Sequence, residues 1–333
     1  MKAYIKAINY ALPEGVLTNE QVAAMFPEWT VEKIEKKLGI KQRHITAENE
    51  TASDIAIKAA EQLFETSGID KQEIDYLIFV TQSPDYHLPT TACVIQKRMG
   101  LSHNITSIDV NLGCNGFVVG LSLAKAVILS GQAKNVLLLT GETYSKYMHE
   151  RDKSNRTIFG DGASATVIST EGIAEIGEFV VGTDGEGAEN LIVKTGGARH
   201  LKPANDLVFD DFGNPRSSDN LYMDGPAILN YSLDFLAKLV NDVLAKNNLT
   251  MDEIDLHVYH QANIFLANLE RKTLRIPPEK YWVSIENTGN TVSSTIPIAL
   301  CEALKSGKLT KGMKVLSIAQ GLGYTWGGMV LYF

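Results

Sequence analysis

The chain has 333 residues, 44% hydrophobic and 21% charged, with a formal net charge of −8, the balance of a soluble globular protein rather than a disordered one. No run reaches the roughly 18 to 20 apolar residues of a membrane span, and the start, MKAYIKAINYALPEG, lacks the long apolar block of a signal peptide. The acidic balance argues against general nucleic-acid binding; Cys93, Cys114 and Cys301 are too few and scattered for a disulfide framework or a metal site, so the expected setting is the cytoplasm with reduced thiols.

In chain order, the basic run EKIEKKLGIKQRH (32–44) reads as a solvated helix face, with a binding role as the alternative. TASDIAIKAAEQLFETSG follows as an amphipathic helix capped by Thr51 or Ser53, and then YLIFVTQ as a short apolar strand. Cys93 falls in an apolar helical pattern and is expected in the core, as is Cys301 later. The strand TSIDVNL runs into DVNLGCNGFVVGLSLAKAVILSG, which sets Cys114 after Gly113 where strand turns into long helix. A helix start leaves N–H groups without partners and carries partial positive charge, so a sulfur there is expected to be favoured as a nucleophilic thiolate. The alternative is a small apolar residue packed at a strand end. NVLLLTG and ATVIST complete an α/β pattern.

The order then repeats. GIDKQEIDYLIFVTQ is matched by LTMDEIDLHVYHQ, and SGQAKNVLLLTGE by SGKLTKGMKVLSIAQG; Ile74 to Ile254 is 180 residues, and Val136 to Val315 is 179. Two halves of one architecture are expected, residues 1–172 carrying Cys114 and residues 173–333 carrying the counterpart corners. The corner matching Gly113–Cys114 is Gly289–Asn290, and His260 ends the strand IDLHVYH. Strand ends carry the chemistry of α/β sheets. A thiol, an imidazole and an amide at matched corners supply a nucleophile, a proton donor or acceptor, and a hydrogen-bond donor to a carbonyl oxygen.

Together the motifs GCNGF, RTIFGDGASATV, YHQAN, GNT and GYTWGGMVLYF resemble the thiolase-fold condensing enzymes, most closely the β-ketoacyl-acyl-carrier-protein synthase III group. The resemblance implies a five-layer αβαβα fold with two pseudo-symmetric halves, and a homodimer. It implies that Cys114 takes an acyl group from acyl-CoA, and that malonyl-acyl-carrier protein then decarboxylates and attacks, with no metal or redox cofactor. His260 and Asn290 are implied as donors to the enolate oxygen, and the backbone N–H groups of Cys114 and Leu322 as the oxyanion hole. Leu322 stands in AQGLGYTWGG where the family commonly has glycine.

For the substrates the resemblance implies Trp29 near the CoA adenine, with Lys33 or Lys37 standing in for an absent arginine. Met223 and Gly225 line the pantetheine channel beside an unusual Pro226. Asn263 and Phe265 follow the histidine, Phe265 where an arginine often docks the acidic carrier, leaving Arg271, Lys272 and Arg275 as candidates. Leu88, in DYHLPTTAC, reaches across the dimer into the partner's acyl pocket; ordinary core packing is the alternative for it and for Met223.

Two other functions compete. The order Cys114, His260, Asn290, with His260 146 residues beyond Cys114, is also that of papain-like hydrolases, but Asn115 rather than an aromatic follows the cysteine. A condensing or acyl-transfer enzyme of a specialised secondary-metabolite or surface-polymer pathway is the closer rival.

Overall fold

The computed structural model describes residues 1–211 and 213–333. Nine strands form its large sheet: β1 (Tyr4–Ala11), β2 (Tyr76–Val80), β3 (Thr106–Val110), β4 (Asn135–Glu142), β5 (Gly162–Ser169), β6 (Ala174–Thr183), β7 (Leu256–His257), β8 (Lys314–Gly321) and β9 (Thr325–Tyr332). The helices that pack on the sheet or border the site are α1 (Val31–Leu38), α2 (Ala52–Ser67), α3 (Thr91–Met99), α4 (Gly116–Leu129), α5 (Gly225–Lys246), α6 (Ile264–Thr273) and α7 (Thr295–Lys305).

The strand order is β3-β2-β4-β5-β1-β6-β9-β8-β7. It folds about its middle, where β1 and β6 pair only at Tyr4 with Glu175 and Ile5 with Ala174. On either side of that seam the pattern is the same: β2 runs parallel to β4 as β7 does to β8, and β4–β5 and β8–β9 are antiparallel. Even the register repeats, Tyr76 opposite Val136 and Leu256 opposite Val315. The repeated Ile-Asp has a structural reason: Asp75 accepts from the N–H groups of Lys134 and Asn135, and Asp255 from that of Lys314, tying each entry turn to the next strand. In the second half the counterpart of β3, beside β7, is reduced to one parallel bridge, His257 to Tyr281.

Three cores separate the layers. Phe117, Val118, Leu121 and Ala124 of α4 and Ile296, Ala299 and Leu300 of α7 pack between the two sheet halves, which is why α4 is apolar on nearly every side. Ile55, Ala59 and Leu63 of α2 cover one outer face and Leu236, Leu239 and Val243 of α5 the other. The result is the αβαβα stack. Thr51, not Ser53, caps α2, forming a capping box with Asp54, while Ser53 donates to Asp85. Cys301 is buried, but Cys93 lies on the exposed face of α3, so the expectation of a core position fails there: the apolar stripe of that short helix is Ala92, Ile95 and Met99.

Candidate active site

Cys114 lies in the turn between β3 and α4, two residues before the helix; Asn115 is the cap, and the Gly116 N–H donates to the Gly113 carbonyl at 2.7 Å. The end of β8 comes against this turn. A Cβ on Gly321 would stand 3.4 Å from the Cys114 Cβ, and the Thr325 hydroxyl bridges the two loops, 3.0 Å from Asn115 Oδ1 and 3.1 Å from the Leu322 carbonyl. The backbone at Leu322 is therefore pinned beside the sulfur.

His260 continues the line of β7, its N–H donating to the Ile318 carbonyl at 2.8 Å. Its Nδ1 sits 2.7 Å from the Thr295 hydroxyl at the start of α7, and that hydroxyl also lies 3.2 Å from the Val292 carbonyl. Thr295 can donate to Nδ1 or, turned to Val292, accept from it. Nε2 is accordingly left a donor or an acceptor.

Asn290 is held by the GDG motif. Its N–H donates to the Ile158 carbonyl at 2.9 Å, and its own carbonyl accepts from Gly160 N–H at 3.1 Å. Only glycine fits at 160, where a Cβ would meet the Thr288 carbonyl at 2.2 Å; Gly289 takes the left-handed turn at φ +67. Asp161 anchors the motif by accepting from Thr46 and Ser145. The Asn290 Oδ1 accepts from Val292 N–H at 2.9 Å, which commits the oxygen and leaves Nδ2 as the donor end.

Cys114, His260, Asn290, Leu322 and Met223 share one cavity of about 80 Å³. Burial pushes the Cys114 thiol up to about 12, and the nearby Glu142 carboxylate adds to the rise. The resting thiolate expected from the helix start is thus not what the site holds; desolvation outweighs the helix end. Burial also lowers His260 to about 4, so at neutral pH a neutral thiol faces a neutral imidazole.

The remaining candidates fall elsewhere. Lys33, Asn263 and Phe265 share a groove of about 820 Å³ between α1 and α6 with Lys36, Lys37 and Lys272, so the basic run lines a cleft as well as capping solvent. The Lys33 ammonium lies 4.8 Å from the centroid of Trp29, covering a face of the indole, and donates to the Glu28 carbonyl. Asn263 caps α6 through Leu266 N–H. Gly225 opens α5 with free space about it. Leu88 is 86% exposed, so core packing within its own chain is not its role. Glu142, Thr295, Gln320 and Tyr231 also surround the site, and no motif or spacing in the sequence marks them.

A family model for the C-terminal region of 3-oxoacyl-[acyl-carrier-protein] synthase III matches residues 244–333, and a second model of that synthase matches residues 108–185. A β-ketoacyl-[acyl-carrier-protein] synthase III of Campylobacter fetus is 35% identical, the match covering all of this chain and 98% of the relative. The chain belongs to the 3-oxoacyl-[acyl-carrier-protein] synthase III family. A crystal structure of one such synthase superposes with a TM-score of 0.97 at 45% identity over the whole of both chains. That of a 3-oxoacyl-(acyl-carrier protein) synthase from Burkholderia xenovorans gives 0.90 at 33% identity, covering 99% of this chain and 94% of the other. The family is one of acyltransferases with the thiolase-like fold, and Cys114, His260 and Asn290 stand at the corners of that fold.

Proposed function

We propose that the chain condenses an acyl-CoA primer with malonyl-acyl-carrier protein, giving a 3-oxoacyl thioester that initiates a fatty-acid chain. The convergence of Cys114, His260 and Asn290 on one cavity carries this reading. In the first step the sulfur attacks the primer's thioester carbon. Its proton passes to His260 Nε2, with Nδ1–H held by Thr295, and then to the departing CoA sulfur. The adduct oxygen takes hydrogen bonds from the N–H groups of Cys114 and Leu322.

In the second step the bond to the malonyl carboxylate breaks and its electrons enter the enolate, whose oxygen accepts from Nε2–H and the Asn290 amide. The carbanion attacks the acyl carbon and Cys114 leaves, regaining a proton from solvent through His260. Both steps draw only on the two thioesters, so the reading calls for no metal or redox cofactor. The groove between α1 and α6, with Trp29 at its edge, receives the CoA end or the acidic carrier; Met223 and Gly225 mark the pantetheine path. The exposed Leu88 supports a homodimer that buries it, and the three unpaired cysteines fit a cytoplasmic setting. Among the described residues no helix is long and apolar enough to cross a membrane.

Separate half-reactions test the assignment. His260→Ala and Asn290→Ala are expected to abolish malonyl decarboxylation, with Asn290→Ala sparing most of the acylation of Cys114. Equal loss of both half-reactions in Asn290→Ala contradicts its place at the enolate.

A further inference from the structure

The reacting cavity is lined by no Lys, Arg, Asp or Glu side chain among the described residues, yet beyond the open ends of His260 and Asn290 two more of its polar groups have no partner. Gln320 Nε2 and the Tyr231 hydroxyl are both buried without a hydrogen bond. Gln320 lies near the end of β8, opposite Trp326 and next to Gly321. Strand alternation sets it on the face of Leu316 and Ile318, which pack in the outer core with α5. An apolar side chain would continue that core; the amide instead meets the cavity. Tyr231 comes from α5, its ring stacked on Tyr324 at 3.8 Å and 11°. The neighbouring Tyr324 hydroxyl has its partner in Asn190, which makes the vacancy at Tyr231 specific. Buried donors without partners are costly unless a ligand completes them.

We propose that Gln320 and Tyr231 hold and orient the carboxylate of the malonyl extender before it leaves. This rests on the condensation reading, whose other oxygens are already served: the primer carbonyl by the N–H groups of Cys114 and Leu322, and the extender's thioester oxygen by His260 and Asn290. The carboxylate is the one acceptor without a partner. Two neutral donors turn the scissile bond toward the plane in which its electrons are received, while no cation stabilises the anion against loss of carbon dioxide. Both donors keep their protons, and the electron pair goes to the enolate.

The test is steady-state and half-reaction kinetics of the full chain with acyl-CoA and malonyl-acyl-carrier protein, comparing Gln320→Met, Gln320→Glu and Tyr231→Phe. Met and Phe preserve shape, and the melting temperature verifies folding. Each is expected to raise KM for the malonyl substrate about tenfold, and Gln320→Glu about a hundredfold through charge repulsion, while the rate of Cys114 acylation changes less than about twofold. An unchanged malonyl KM in both Gln320→Met and Tyr231→Phe overturns the proposal, as does a loss confined to acylation, which puts the pair on the primer. Failure of the unmodified protein to acylate Cys114 or to condense overturns the condensation reading itself.

Discussion

Thr295 decides what His260 can do. A neutral imidazole must accept a proton from the thiol in one step and donate to the enolate in the next, and the hydroxyl 2.7 Å from Nδ1 accommodates either tautomer. Thr295→Val keeps the shape and removes that partner. Both half-reactions are expected to slow roughly ten- to hundredfold, with Thr295→Ser restoring most of the rate. A valine variant with unaltered acylation and decarboxylation contradicts the assignment. The Cys114 thiol, raised by burial and by Glu142, makes this base necessary rather than ornamental. Cys114, His260 and Asn290 were legible from sequence because each ends a strand or follows a glycine at a repeated corner. Thr295, Gln320 and Tyr231 were not, because their partners lie 35 to about 90 residues away along the chain or are absent from it, and no local pattern marks them.

At the scale of elements, the GDG turn does for Asn290 what the β8 end does for Cys114. Gly160→Ala drives a Cβ into the Thr288 carbonyl, so the 288–290 turn must shift. We expect a destabilisation of about 1 to 3 kcal/mol and a loss of decarboxylation exceeding the loss of acylation, since Asn290 moves and Cys114 does not. Melting temperature and the two half-reaction rates check it; parallel loss of both rates contradicts it. The motif was recognisable in sequence, but its work was not, because the close approach joins residues 128 positions apart. The strand expected over IDLHVYH is likewise shorter in the structure: Val258 and His260 still donate to β8, yet only Leu256–His257 pairs as a ladder strand.

Over the whole molecule, the duplication was the most legible feature, since the 180- and 179-residue offsets survive as matched registers and matched aspartate caps. Folding also buries ionisable groups with opposite effects on stability. His257 and His260 are lowered to about 4, so their contributions are present above the unfolded value near 6.5 and fall away as pH drops toward 4. Glu142 and Glu270 are raised to about 8 and about 7 by burial, so their contributions are present below the ordinary value of 4.5 and are lost as pH rises through those values. The two pairs offset one another between 4.5 and 6.5, and above 6.5 only the carboxylates still change. The melting temperature is therefore expected to fall from pH 6.5 to 8.5, and Glu142→Gln to flatten that decline; a rise over the same interval contradicts it. One sulfur, that of Cys114, is expected to carry the acyl group from one thioester to the other. Intact-protein mass spectrometry after mixing with acyl-CoA, then with malonyl-acyl-carrier protein, reads this out: one acyl mass is expected, absent in Cys114→Ala and discharged as a 3-oxoacyl product, whereas an adduct that persists in the alanine variant, or one that malonyl-acyl-carrier protein does not discharge, rules it out.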